Sequence, residues 1–219
     1  MTTSPTAAGA ARTAKPQTVA LIGATGFVGA RLLAELVARG HRVTAIVRNP
    51  GKVPALDGVT ARAGDVHDRD GLAALLAGHD AVISAVHFLA SDGPTLLAAV
   101  RKSGVPRYLV VGGAGSLEVA PGVRLVDTEG FPEIYLGEAR AGAAYLDLLR
   151  AERALDWTFL SPSAVIAPGE RTGRFRLGDD ALLVGADGES RISAEDFAVA
   201  LVDELERPAH PRRRFTVGY

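Results

Sequence analysis

The chain has 219 residues, 47% hydrophobic and 22% charged, which suits one sizeable α/β core and is short for two. Its 24 basic and 25 acidic residues leave a net charge of −1, so neither nucleic acid nor an anionic membrane gains an electrostatic hold. With no cysteine, disulfides, thiolate catalysis and cysteine metal sites are excluded. The opening residues, Met1 to Gln17, are rich in Thr, Ser, Ala and Gly and read as a flexible tail. They lack the apolar core of a secretion signal, which predicts a cytoplasmic protein. No stretch reaches the roughly 18 uninterrupted apolar residues of a membrane span. The histidines His41, His67, His79, His87 and His210 show no metal-ligand spacing, so no metal is expected.

From Thr18 onward, short β-rich runs alternate with amphipathic stretches, the pattern of βαβ units. The first strand is Thr18 to Ile22, an unbroken apolar run suited to burial on both faces. A helix over about Phe27 to Arg39 follows, with Val28, Leu32, Leu33, Leu36 and Val37 as its buried stripe and Gly40 as its stop. Strands are predicted at Arg42–Val47 and Thr60–Ala63, then a helix over Leu72–Leu76 capped by Asp68. A strand at Ala81–Ala85, a helix at Thr95–Lys102 ended by Gly104, and a strand at Tyr108–Gly112 come next. Ala139–Arg150 reads as helix and Trp157–Leu160 as strand. The C-terminal part offers a strand at Arg174–Leu177 and a helix opened by Ser193, with Asp196 three residues on as a shortened capping box. A last strand, Phe215–Val217, would close the sheet. The fold class is α/β: a doubly wound, Rossmann-type parallel sheet over residues 18–219 with a small C-terminal elaboration. Ligands of such sheets sit at the strand C-terminal ends, here the long loops Gly113–Tyr135 and Pro162–Arg174.

Between the first strand and first helix lies Gly23-Ala24-Thr25-Gly26-Phe27-Val28-Gly29. The first glycine permits a tight turn, the second lets phosphate oxygens reach the backbone, and the third lets helix pack closely on strand. The helix N-terminus supplies unpaired N–H groups to the anion. Thr25, Phe27 and Val28 are thereby also assigned to the dinucleotide. An acid normally ends the second strand when NAD is bound; here Arg48 stands there, and no acid follows until Asp57. A guanidinium pairs bidentately with a 2′-phosphate, which points to NADP(H) as cofactor. The bland reading of Arg48 is a solvated surface charge. Asp65 either meets the adenine edge or caps a helix. Ser84 and Ala85, closing the fourth strand, complete this side of the site.

The runs Gly23–Gly29, Val47-Arg48-Asn49, Gly64-Asp65-Val66, Val111 to Ser116 and Leu160-Ser161-Pro162 come in this order. Together they resemble the atypical short-chain dehydrogenase/reductase superfamily. The closer likeness is to its NAD(P)H-flavin reductase and biliverdin reductase B-like branch, beside the NmrA-like proteins. The resemblance spans about Thr18 to Tyr219. It implies that Pro162, within Ser161-Pro162-Ser163, helps position the nicotinamide carboxamide. Standard members of the superfamily carry a Tyr followed four residues later by a Lys. Here Tyr135 is followed by Ala139, and no lysine occurs after Lys102. A Tyr-Lys proton relay is therefore not available.

The catalytic candidates are Ser116, Tyr135 and His87. Ser116 either hydrogen-bonds an acceptor or simply serves its Gly-rich turn. Tyr135 either stacks on a planar substrate or packs as a loop aromatic. His87 is a proton donor near neutrality or a structural histidine at a strand end. Arg171, Arg174 and Arg176 are either an anion-attracting lid or a solvated face. Two functions fit: an NADPH-dependent reductase acting on a planar conjugated small molecule, or a redox sensor that binds NAD(P) without turnover. Monomer and homodimer stay equally open.

Overall fold

A computed structural model describes residues 15–219, so the expected flexible tail lies, up to residue 14, outside the described residues. Gln17 is already fixed: its N–H donates to His41 Nδ1 and its carbonyl accepts from Arg42 N–H. The elements run β1 (Thr18–Ile22), α1 (Phe27–Ala38), β2 (Arg42–Val47), β3 (Val59–Ala63), α2 (Arg69–Leu76), β4 (Ala81–Ser84) and α3 (Gly93–Ser103). They continue with β5 (Arg107–Val111), β6 (Glu118–Ala120), β7 (Val123–Arg124), α4 (Glu133–Ala151), β8 (Asp156–Ser161) and β9 (Val165–Ala167). The chain ends with β10 (Arg176–Gly178), β11 (Arg191–Ser193), α5 (Ala194–Glu206) and β12 (Arg213–Gly218).

Eight strands form one sheet in the order β10-β12-β8-β5-β4-β1-β2-β3, parallel throughout except for β10 on β12. This is a doubly wound, Rossmann-type α/β sheet. Alternation along β1 serves both faces: Val19 and Leu21 pack with α1 and α5, while Ala20 and Ile22 pack with α2, α3 and α4. The chain leaves β1 toward β2 and β3, then returns past β1 to β4. The C-terminal ends of β1 and β4 therefore flank the topological switch point, where such sheets open a crevice. Among the described residues no helix is long and apolar enough to cross a membrane.

Several expectations are corrected. The edge strand is β10, antiparallel, and not Phe215–Val217, which lies inside the sheet as part of β12. α4 starts at Glu133 rather than Ala139, so Tyr135 is helical and not a loop residue. The rest of the Gly113–Tyr135 stretch includes the β6–β7 hairpin.

The stretch Pro162–Arg174 is a strap rather than a lid. β9 pairs with β11, and the following turn is bound to α5 and α1. Asp196, fully buried in the first turn of α5, accepts from Thr172 Oγ1 at 2.5 Å, Gly173 N–H at 2.8 Å and Tyr219 Oη at 2.8 Å. Ser193 caps α5 as expected, its Oγ accepting from Asp196 N–H at 3.0 Å. Arg171 clasps buried Glu35 of α1 through two bonds of 2.7 Å, and Arg176 donates to the carbonyls of Val184 and Tyr219. Two of the three candidate lid arginines are thus structural.

Removing the fully buried Asp196 carboxylate takes the acceptor from three donors, Thr172 Oγ1, Gly173 N–H and Tyr219 Oη. Asp196→Ala should cost about 2–4 kcal/mol in urea unfolding, whereas Arg174→Ala, at an exposed position, should stay within about 0.5 kcal/mol. Equal losses for the two would show that the strap is not held this way.

Candidate functional site

At the end of β1 the chain must reverse within a few residues to begin α1. Gly23 does this at φ +84°, in the left-handed region that side chains disfavour. Its N–H donates to Ile46 O at 3.0 Å, and a Cβ there would lie 2.5 Å from the Ala85 carbonyl oxygen. Gly29, in the first turn of α1, faces the Gly23 carbonyl so closely that any side chain would collide with it. Gly26 is the helix N-cap, and it offers no side chain to the first-turn amides; α1 also has no acid in that turn. The helix therefore presents uncapped N–H groups and the positive end of its dipole. This cradle fits a pyrophosphate. Thr25 and Phe27 are exposed beside it, with the Arg31 guanidinium 4.7 Å from the Phe27 ring centroid, while Val28 turns inward to the core.

Arg48 leaves the end of β2 exposed and, among the described residues, without an ion-pair or hydrogen-bond partner. Asn49 beside it is occupied, its Oδ1 accepting from Gly51 N–H. Gly64 N–H donates to Val47 O at 3.1 Å, which brings Asp65 to the same rim as Arg48. Asp65 does not cap α2; Asp68 does, accepting from Gly71 N–H at 3.0 Å. Asp65 instead accepts from His67 N–H through Oδ1.

On the other side of the switch point Ala85 N–H donates to Ile22 O, so Ala85 abuts the glycine turn. Ser84 does not lend its hydroxyl to the groove. The hydroxyl is buried 2.9 Å from Tyr108 Oη, which in turn lies 2.8 Å from Tyr145 Oη. Burial pushes the Tyr108 phenol up to about 12 and the Tyr145 phenol well above its ordinary range, so both keep their protons.

Beyond Ala85 the chain forms a short 3-10 turn, Phe88–Ala90. Its exposed neighbour His87 has Nδ1 3.4 Å from Glu138 Oε1 of α4. Tyr135 is exposed one turn earlier on α4, so α4 brings Tyr135 and the His87 turn to one end of the groove. Ser116 is not among them. It is 8% exposed, and its Oγ lies 3.5 Å from Arg214 Nη1, in a cluster where Arg214 also pairs with Asp180 and approaches Ser161. Pro162 is buried directly after β8, beside Ser163, whose Oγ donates to Val217 O. Ala139 packs against Gly115, whose own Cβ would stand 2.7 Å from that of Ala139.

Sequence reasoning overlooked Glu138 and Phe88. An acid on a helix reads as solvated face, and only its distant partners reveal otherwise.

A glycine cradle at the switch point of a doubly wound sheet defines a dinucleotide-binding Rossmann protein. A family model described as NAD(P)H-binding matches residues 23–208. The uncharacterized protein YwnB of Bacillus subtilis (strain 168) is 42% identical over 209 residues, covering 91% of this chain and 97% of its own length. A Bacteroides thetaiotaomicron crystal structure described as a candidate epimerase superposes with TM-score 0.89 at 44% identity, over 94% of this chain and 98% of the other. A Streptococcus pneumoniae structure described as a candidate NADH-flavin reductase gives TM-score 0.80 at 37% identity, over 92% and 99%. The chain belongs to this NAD(P)H-binding family, in keeping with its resemblance to the flavin reductase-like branch of the atypical short-chain dehydrogenases/reductases.

The glycines separate folding from binding. At Gly26 an added Cβ would come within 3.3 Å of the Gly23 carbonyl oxygen and an ordinary 3.8 Å of that of Ala85. Gly26→Ala should weaken NAD(P)H binding about tenfold or more in calorimetry while costing about 1 kcal/mol of stability or less. Gly29→Ala should lose about 2–4 kcal/mol, because backbone rather than a flexible side chain blocks the methyl. The reverse ranking would contradict the assigned roles.

Proposed function

We propose that the protein is an NADPH-dependent reductase that delivers hydride to a planar conjugated acceptor. The observation that carries the choice of coenzyme is the unpartnered Arg48 guanidinium on the rim of the glycine cradle. A carboxylate at that position would accept from ribose hydroxyls and repel a 2′-phosphate, whereas a guanidinium pairs with the phosphate. Asp65, with Oδ2 uncommitted, takes the adenine edge.

When bound, the reduced nicotinamide supplies the hydride, and the acceptor takes up that hydride together with one proton. The chain contributes binding and orientation. The first-turn amides of α1 hold the pyrophosphate, Thr25, Phe27 and Val28 border it, and Ser84 with Ala85 and Pro162 back the other half through their main chain. Tyr135 has no lysine four residues on, since position 139 is an alanine packed on Gly115. Protonation therefore falls to His87, beside Glu138, or to water. Ser116 sets the shape of the loop after β5 through Arg214 rather than touching substrate. A site of this kind suits acceptors that need orientation more than acid catalysis, namely flavins, quinones and enones. The same missing lysine counts against an epimerase cycle through transient oxidation.

Steady-state NADPH oxidation against flavins, quinones and carbonyl compounds should reveal turnover. Arg48→Ala should raise KM for NADPH about 10–100-fold and move KM for NADH by no more than about twofold. A protein that binds NADPH tightly yet oxidises it with no acceptor would be a sensor. An unchanged preference after Arg48→Ala would remove the 2′-phosphate assignment.

A further inference from the structure

The three most exposed large apolar side chains among the described residues are Ile134 (84%), Leu89 (69%) and Tyr135 (62%). They gather at one place. Leu89 Cδ1 would lie 3.3 Å from a Cβ on Gly137 of α4, and Ile134 stands one turn before Gly137 on the same helix face. Tyr135 stands one turn before Glu138, whose carboxylate holds the Leu89 turn, so it flanks the same turn from the other side. Leu89 belongs to the turn that continues from Ala85, and Ala85 abuts Gly23, so this apolar floor adjoins the coenzyme cradle.

The floor is rigid. Below it the Phe88 ring stacks on Phe159 at 6.1 Å and meets Tyr145 at 5.7 Å, in a space that exists because Gly142 has no Cβ. Above, the Glu138 carboxylate accepts from Phe88 N–H at 2.7 Å and Leu89 N–H at 3.0 Å. The main chain of Leu89 is thereby held, and its side chain stands 69% exposed. Burial by a bound ring would be favourable.

The charge around the floor selects among rings. Residues 85–92 and 125–139 contain Asp92, Asp127, Glu129, Glu133 and Glu138 and no lysine or arginine. The bordering cations are Arg124, already paired with Asp127, and exposed Arg140.

We infer that Leu89, Ile134 and Tyr135 form the acceptor platform, that it takes an uncharged planar ring in preference to a phosphorylated one, and that Glu138 is its positioning residue. The inference rests on the reductase reading for what the platform is used for, but binding can be measured apart from turnover. An unphosphorylated quinone or flavin ring meets apolar carbon alone, while a flavin nucleotide must bring its phosphate toward carboxylates.

Lumiflavin and FMN share one ring and differ by the phosphorylated side chain. Their binding to the full chain, with and without NADP+, can be followed by flavin fluorescence quenching. Lumiflavin should bind about fivefold or more tighter at low salt, and the gap should narrow at high salt as the carboxylates are screened. Glu133→Gln should narrow it likewise. Leu89→Ser combined with Ile134→Ser should weaken lumiflavin about tenfold. Glu138→Gln, which can accept only one of the two amides, should weaken lumiflavin and speed hydrogen exchange at Phe88 and Leu89. Coenzyme affinity and unfolding midpoint should hold in the Leu89 and Ile134 variants. Equal or tighter binding of FMN, no binding of lumiflavin to the unaltered protein, or indifference to the double substitution would overturn the platform. If lumiflavin binds in the expected pattern but is never reduced, the platform stands and the reductase reading fails.

Discussion

Helix α1 reaches the end of β1 only because Gly29 lacks a side chain, and the position of everything at the site follows from that contact. Gly29 lies on the Gly23 carbonyl, and Gly23 in turn lies on that of Ala85, so helix, turn and β4 are stacked backbone on backbone. The far side of α1 is held as firmly. Glu35 is buried between Arg39 and Arg171, and Arg39 also pairs with Asp203 and Glu206 of α5. Burial alone would raise the Glu35 carboxyl, but the hydrogen bonds from Arg171 and Arg39 outweigh it and hold the group below its ordinary value. Exposed ion pairs contribute little, yet a buried carboxylate with two guanidinium partners is costly to strip of either. The helix that offers its uncapped N-terminal amides is thus fixed at both its tip and its flank.

The two faces of the sheet divide the remaining work. On the α1–α5 face, the strap around Asp196 ties the last third of the chain to the first helix. On the α2–α3–α4 face, buried hydroxyls run from Ser84 through Tyr108 to Tyr145, and Phe88 lies against Tyr145 and Phe159. Burial keeps both phenols protonated, and the layer backs the turn after β4. Exposed polar side chains stand at the rim instead: His87, Tyr135, Arg48 and Asp65.

What the sequence discloses is what local chemistry decides. The apolar run of β1, the spacing of three glycines, the Asp68 and Ser193 caps and the Gly104 stop each act within a few residues, and each reappears in place. Gly137 interrupts the helical pattern and hides the start of α4, which Pro132 followed by Glu133 marks. Asp196 shows the limit more sharply. Three residues after Ser193 it looks like half of a capping box, but its carboxylate is claimed by Thr172, Gly173 and Tyr219. Glu138 and Arg171 likewise owe their roles to partners that only the fold brings near.

The missing lysine gains meaning from its surroundings. An isolated change at position 139 would leave a cavity where a longer side chain had stood, but the β5 loop lies directly on Ala139 through Gly115. One residue earlier, Glu138 spends its carboxylate on two amides of the β4 turn, and one turn earlier Tyr135 points to solvent. Through Glu138 this stretch of α4 holds the turn after β4. Under the proposed reductase reading, rate enhancement rests on how coenzyme and acceptor are aligned, and the stacked glycine turn and the held Phe88–Ala90 turn are the rigid elements that would align them.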